Sequence, residues 1–282
     1  MNSQYSAEID SGDRFAFGEN WSRFLRVLDE GRIRQAERSL QEMLEVGDLE
    51  GRSFLDVGSG SGLFSLAARR LGASVHSFDY DPQSVACTTE LKRRFFPDDP
   101  GWTVDEASVL DREYLGRLGT FDVVYSWGVL HHTGAMWQAL DNVAPLVAAR
   151  GQLFIAIYND QGEWSRLWRS LKRTYNKLPG PVRLPYAAVI MGPRELRPMA
   201  SATLRGRPCD YVDNVVHYAQ RSLRGMSYRH DLVDWIGGYP FEVAKPEEIF
   251  DFYRDRGFVL ERLKTCAGSH GNNEFVFRQT QP

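Results

Sequence analysis

Residues 53–62 read Ser-Phe-Leu-Asp-Val-Gly-Ser-Gly-Ser-Gly, a short apolar run that ends in three glycines at alternate positions. The run has the length and composition of a buried strand, and the LFSLAARRLG that follows, from Leu63, is helix-like. Glycines at such a junction let the backbone turn sharply and approach a ligand where a Cβ would clash. The helix start behind them offers unpaired N–H groups. A glycine loop by itself is also what any tight strand-to-helix turn needs. The acid inside this one narrows the reading: Asp56 would repel a pyrophosphate, and it suits a ligand that carries an ammonium group.

Outward from this stretch, strands and helices alternate. Val75–Phe78 reads as a second strand, Thr103–Glu106 as a third, Phe121–Ser126 as a fourth and Leu153–Tyr158 as a fifth, with helix-like segments at Pro82–Arg94 and Ala135–Val147 between them. Such alternation implies a parallel sheet with right-handed crossovers. It stops near Asp160 and resumes with the helix PEEIFDFYRDRGF, from Pro246, and two closing strands, FVLERLKT and EFVFR. The expected fold is therefore α/β and Rossmann-like. Three parts follow: a helical N-terminal extension over 1–48, the core over 49–160 and 246–282, and a basic, mainly helical insertion over 161–245. Residues 1–12 read as disordered. The apolar pattern from Phe15 to Val46 reads as helix, split in two at Gly31.

Composition sets outer bounds. The chain has 282 residues, 43% hydrophobic and 25% charged, with a net charge of −3, ordinary values for a soluble globular protein. Its three cysteines, Cys87, Cys209 and Cys266, form no CxxC pair, so neither a disulfide framework nor a zinc site is indicated. No metal is expected. A polar, acidic start and the lack of any run of about 18 apolar residues point to a cytoplasmic protein without a membrane span.

Asp79 ends the second strand, seventeen residues beyond Gly62, where α/β nucleotide folds place an acid that accepts ribose hydroxyls. A polar, aromatic loop, FDVVYSWGVLHH, closes the fourth strand. At these residues the chain resembles the class I S-adenosylmethionine-dependent methyltransferases: LDVGSGSG is similar to the family's first motif, SFDYDP to its acidic second, and FDVVYSWGVLHH to its fourth. The ubiquinone-pathway O-methylases are the nearest-looking subgroup. The resemblance implies a seven-stranded sheet whose last strand, NEFVFR, is antiparallel, and S-adenosyl-L-methionine as cofactor. It puts Asp56, Gly58, Ser59, Gly60 and Gly62 near the methionine moiety, Asp79 on the ribose and Tyr80 beside the adenine. Ser108 and Val109 stand in the third-motif region, where many relatives have an acid, and Ser126 and Trp127 stand at the fourth motif.

Methyl transfer needs near-attack geometry and, for a hydroxyl or amine acceptor, a base. His131 and His132 follow the fourth strand, and His132 is the preferred base. Helix capping or loop packing is the bland alternative for both. Tyr158 and Asn159 end the fifth strand and are expected to face the acceptor, unless Asn159-Asp160 merely forms a turn. His76, inside the second strand, reads as structural.

The insertion carries the charge asymmetry. Residues 163–208 hold ten basic residues (Arg166, Arg169, Lys172, Arg173, Lys177, Arg183, Arg194, Arg197, Arg205 and Arg207) against Glu163 and Glu195. The local charge of +8 leaves the rest of the chain at −11. Trp164, Leu167, Trp168, Leu171 and Tyr175 recur at helical spacing, so a lid helix is expected to pack that apolar face on the domain. Beyond this bland use, the basic residues suit either an anionic acceptor or peripheral contact with an anionic membrane surface. Tyr228, Arg229, His230, Asp231 and Trp235, around a flexible Gly237-Gly238, are expected to close over the acceptor.

The sequence thus reads as an enzyme that methylates an oxygen, ahead of a nitrogen or carbon, of an anionic or phenolic small molecule. A methyltransferase of RNA or protein is the first alternative, although no nucleic-acid-binding module is recognisable. A non-catalytic S-adenosylmethionine-binding module is the second.

Overall fold

The computed structural model describes residues 3–207, 209, 213, 216–217, 235–269 and 271–280. Seven strands form one sheet: β1 (Ser53–Val57), β2 (Ser74–Asp79), β3 (Trp102–Glu106), β4 (Phe121–Trp127), β5 (Val147–Tyr158), β6 (Phe258–Lys264) and β7 (Asn272–Gln279). Their order is β3-β2-β1-β4-β5-β7-β6. The first five run parallel, and β7 lies antiparallel between β5 and β6. The order reverses between β1 and β4, and such a switch point opens a crevice at the carboxyl ends of the strands. The glycine loop after β1 stands there.

Both faces of the sheet are covered. Phe54, Tyr125, Phe154 and Val276 pack on one side with α3 (Glu30–Leu44), α4 (Leu63–Arg70) and α5 (Pro82–Phe95). Leu55, Val57, Val124, Ile155 and Phe277 pack on the other with α7 (Met136–Val143) and the Pro246–Arg254 helix. The short α6 (Arg112–Gly116) starts on Asp111, whose carboxylate accepts from the N–H groups of Glu113 and Tyr114. His76 meets the Tyr114 hydroxyl at 3.0 Å and Asp105 at 3.1 Å, so its surroundings are those of a structural residue.

Five expectations are corrected. Residues 3–10 are helical (α1, Ser3–Asp10), not disordered. So short a helix is marginal alone, but docking holds this one: the Tyr5 ring stands edge-on to Tyr80 at 5.5 Å, and the Tyr80 hydroxyl donates to Glu8. The N-terminal helical pattern breaks between α2 (Gly18–Phe24) and α3, not at Gly31. Asp29 caps α3 by accepting from the Arg32 N–H, and a side-chain cap outranks the weak breaking power of a glycine in the first turn. The fifth strand starts at Val147, which pairs with Phe121 ahead of an irregular stretch, rather than at Leu153.

The fourth correction concerns α8 (Glu163–Lys177), which with α9 (Gly180–Leu204) begins the insertion. Its buried face is Ser165, Lys172, Tyr175 and Asn176, while Trp164 is 61% exposed and Leu167 is exposed as well. The face is rotated because backbone carbonyls lie beneath it and call for donors. Lys172 Nζ donates to the Trp235 carbonyl, Asn176 Nδ2 to Gly237 at 2.6 Å and Arg169 Nε to Phe241 at 2.9 Å. Gly237 is buried against the Phe15 ring, so the expected flexible Gly237-Gly238 pair is pinned there.

Candidate cofactor and acceptor site

A cavity of about 350 Å³ opens at the switch point. Its floor is the loop Gly58–Ser61, with Gly58 at φ 81° and Gly60 at φ 55°. A Cβ on Gly58 would fall 2.4 Å from Val129 Cγ1, and one on Gly60 would fall 3.1 Å from the Trp21 indole nitrogen. The N–H groups of Gly58 and Ser59 donate to the Phe78 carbonyl at 2.9 and 3.1 Å. The Gly60 N–H donates to Asp79 Oδ2 at 2.9 Å, which ties the loop to the end of β2.

Two acids line this floor. Asp56 is buried, accepts from the Ser65 hydroxyl and is pushed up to about 7, mainly by desolvation. Behind it runs a relay: Trp102 Nε1 donates to Ser77 at 2.9 Å, and Ser77 donates to Ser65 at 2.8 Å. Burial likewise holds Asp79 up at about 6, against the opposing N–H donors of Asp81 and Gly60. Carboxyls held near neutrality at a cavity wall are suited to a cation and to hydroxyl donors, either of which stabilises the ionised form. Tyr80, Ser108, Val109 and Trp127 complete this half of the cavity. Tyr80 itself is pushed up to about 12 by desolvation and by Glu8.

The other half is aromatic. Phe15, Phe17, Tyr158 and Trp235 line it, and the Phe17 and His132 rings meet at 5.0 Å. His132 Nδ1 lies 2.6 Å from the Pro240 carbonyl. A carbonyl only accepts, so Nδ1 carries the proton and Nε2 carries the lone pair of the neutral ring.

Several predicted residues stand elsewhere. Ser126 is fully buried and donates to the Val57 carbonyl at 2.9 Å, away from the cavity wall. Gly62 caps α4 at φ 80°, where a Cβ would press on Thr88. His131 is fully buried, with its ring 4.0 Å from that of Tyr158, and does not line the cavity. Asn159 is used in the frame: its side-chain oxygen accepts from Asn273 and its N–H donates to Gly271. Tyr228, Arg229, His230 and Asp231 lie outside the described residues. None of the described basic residues of 163–207 lines the cavity. Arg166 pairs with Glu163, Lys177 with Asp13, and Arg183 donates to the carbonyls of Asn176 and Leu178.

The N-terminal wall joins Phe15, Phe17 and Trp21, aromatics of the region that the resemblance places over the cofactor, to two residues that the sequence does not announce, Tyr5 and Arg14. Arg14 is held by Glu8 at 2.6 Å and by the His132 carbonyl at 3.1 Å. Arg32, Phe64, Tyr125, Lys264 and Glu274 also line the cavity.

Residues 28–183, more than half of the chain, match the family described as a methyltransferase domain. Among curated relatives, ribosomal protein L11 methyltransferase of Methylococcus capsulatus is 50% identical over 54 residues, 19% of this chain and 18% of that one. The tRNA U34 carboxymethyltransferase of Klebsiella pneumoniae is 36% identical over 106 residues, covering 36% and 30%. Ubiquinone biosynthesis O-methyltransferase of Rhizobium etli is 31% identical over 112 residues, covering 39% and 43%. The chain thus spans less than half the length of these relatives. Among solved structures, magnesium protoporphyrin IX methyltransferase of Synechocystis PCC 6803 with bound S-adenosylhomocysteine superposes with a TM-score of 0.55 at 14% identity, covering 93% of each chain. With its glycine loop, paired acids and seven-stranded sheet, the chain belongs to the methyltransferase-domain family and has the class I S-adenosylmethionine methyltransferase fold.

Proposed function

We propose that the protein transfers a methyl group from S-adenosylmethionine to an oxygen of a small, phenolic acceptor. One observation carries this reading: a single cavity joins the glycine loop and its two acids to an aromatic wall that holds His132. The cofactor, when bound, supplies an electrophilic methyl on a sulfonium and leaves as the neutral thioether. Asp56 balances a cationic group beside the loop, and Asp79 accepts hydroxyl donors at the end of β2. Tyr80, Val109 and the Tyr5 ring make an apolar slot for a planar base. His132 Nε2 takes the proton of the acceptor hydroxyl, and Pro240 fixes the ring so that this nitrogen is the basic one. Phe15, Phe17 and Trp235 exclude water and align the acceptor.

A phenol fits this wall better than an anion does, because the insertion's described cations are turned to ion pairs, carbonyls and solvent. The test is a screen of phenolic and carboxylated acceptors by S-adenosylhomocysteine release, repeated with His132→Ala. Turnover of a phenol should fall by about 10²–10⁴-fold in the variant, with cofactor affinity unchanged. Full turnover by the variant would remove His132 from its role.

A further inference from the structure

We propose that the outer face of α9 docks the protein on an anionic lipid surface. The inner side of this helix is Arg183, Tyr186, Ala187, Ile190 and Met191, at spacings of three and four. It packs on α8, where the Tyr186 hydroxyl donates to the Leu171 carbonyl. A helix on a protein surface ordinarily turns its polar residues outward. Here the opposite stripe, also at three- and four-residue steps, is Val182, Pro185, Val189, Pro193, Leu196 and Ala200, all exposed. Val189 is 71% exposed and Leu196 56%. Leu184 and Met199 widen the stripe on one flank and are exposed too. A contiguous apolar face of this kind marks an interaction surface.

Charge selects the partner. Arg183 is turned to the Asn176 and Leu178 carbonyls, but beyond it, up to Arg207, the sequence carries Arg194, Arg197, Arg205 and Arg207 against Glu195 alone. Arg205 and Arg207, at the helix end, and Arg173, on α8, are exposed. An anionic headgroup layer over acyl chains complements both features at once: side chains such as Val189 and Leu196 enter the acyl boundary, and the exposed Arg205 and Arg207 meet the headgroups. Trp164, exposed at the start of α8, is of the type that settles at such a boundary. The helix lies on the surface and does not cross it: no described helix is long and apolar enough to span a membrane. The expected charge-driven use of the insertion thus falls on α9, because Arg169, Lys172 and Asn176 of α8 are committed to the carbonyls of Phe241, Trp235 and Gly237.

The experiment is flotation of the full-length protein with phosphatidylcholine vesicles, with and without phosphatidylglycerol, for wild type and for Val189→Glu/Leu196→Glu. Cofactor binding by titration calorimetry serves as the control for folding, because neither residue touches the cavity. Wild type should float about tenfold more with the anionic vesicles, and high salt should reduce this. The double variant should lose it while keeping cofactor affinity. Flotation equal on both vesicle types, or unchanged in the folded double variant, would overturn the proposal. So would a wild-type dimer in light scattering that the double variant dissolves, since the face would then cover a second copy.

Discussion

The floor of the cavity, from Gly58 to Ser61, takes its shape from backbone: left-handed glycines and N–H groups anchored on Phe78 and Asp79. The roof, from Trp235 to Phe241, is held instead by long side chains that reach its carbonyls. Lys172, Asn176, Arg169 and His132 each supply one donor. Free space limits what the floor tolerates, since any added Cβ meets an atom. For the roof the limit is pairing, so its grips can be lost one at a time. In the proposed reading the floor is the part that holds the cofactor and the roof the part that meets the acceptor.

The sharpest way to break this contrast is Gly58→Ala. Left-handed backbone strain and the 2.4 Å approach to Val129 should together cost about 3 kcal/mol and abolish cofactor binding, read by urea denaturation and calorimetry. Lys172→Met tests the other half. It leaves the partly buried Trp235 carbonyl without this donor, which should cost about 1–2 kcal/mol and lower turnover, while the cofactor dissociation constant stays unchanged. An equal loss of cofactor affinity would show that floor and roof are one unit.

Titration sharpens the picture of the floor. Asp56 is held at about 7 and Asp79 at about 6 in the free protein, and both must ionise to face a cation and hydroxyl donors. Affinity for S-adenosylmethionine should therefore fall as pH drops below about 7, by up to about tenfold per unit for each carboxyl that takes up a proton. Stability of the free protein follows the opposite sign. Because both values lie above the ordinary 3.8, this contribution is fully present below that value and is lost as pH rises through 6 and 7. Melting curves across this range, with and without ligand, read both effects. Ser65→Ala is the smallest perturbation. Losing the end of the Trp102–Ser77–Ser65 relay should raise the Asp56 carboxyl further, move the pH midpoint of binding upward and cost about 1 kcal/mol.

Legibility in the sequence follows the same division. Asp56, the glycines and Asp79 could be read because turn chemistry and strand ends are local. At the fourth strand the motif suggests Ser126 with Trp127, whereas Tyr125 and Trp127 line the cavity. Strand side chains alternate faces, so a one-residue step reverses the assignment. His131 and His132 divide in the same way within a single 3₁₀ turn. Tyr5 and Arg14 were hidden because α1 exists by docking on Tyr80. Lys172 was read as one of a run of cations because nothing near it in sequence announces the carbonyl it meets.

The most direct measurement is isothermal titration of S-adenosylmethionine and S-adenosylhomocysteine into wild type and Asp79→Ala. The account predicts micromolar binding of both ligands to wild type. It predicts a loss of about thirtyfold or more in the variant, since a partly buried carboxylate that accepts ligand hydroxyls is worth at least about 2 kcal/mol. Absence of binding to the folded wild type, or undiminished binding to the variant, would contradict the assignment of the glycine loop and Asp79 as the cofactor site.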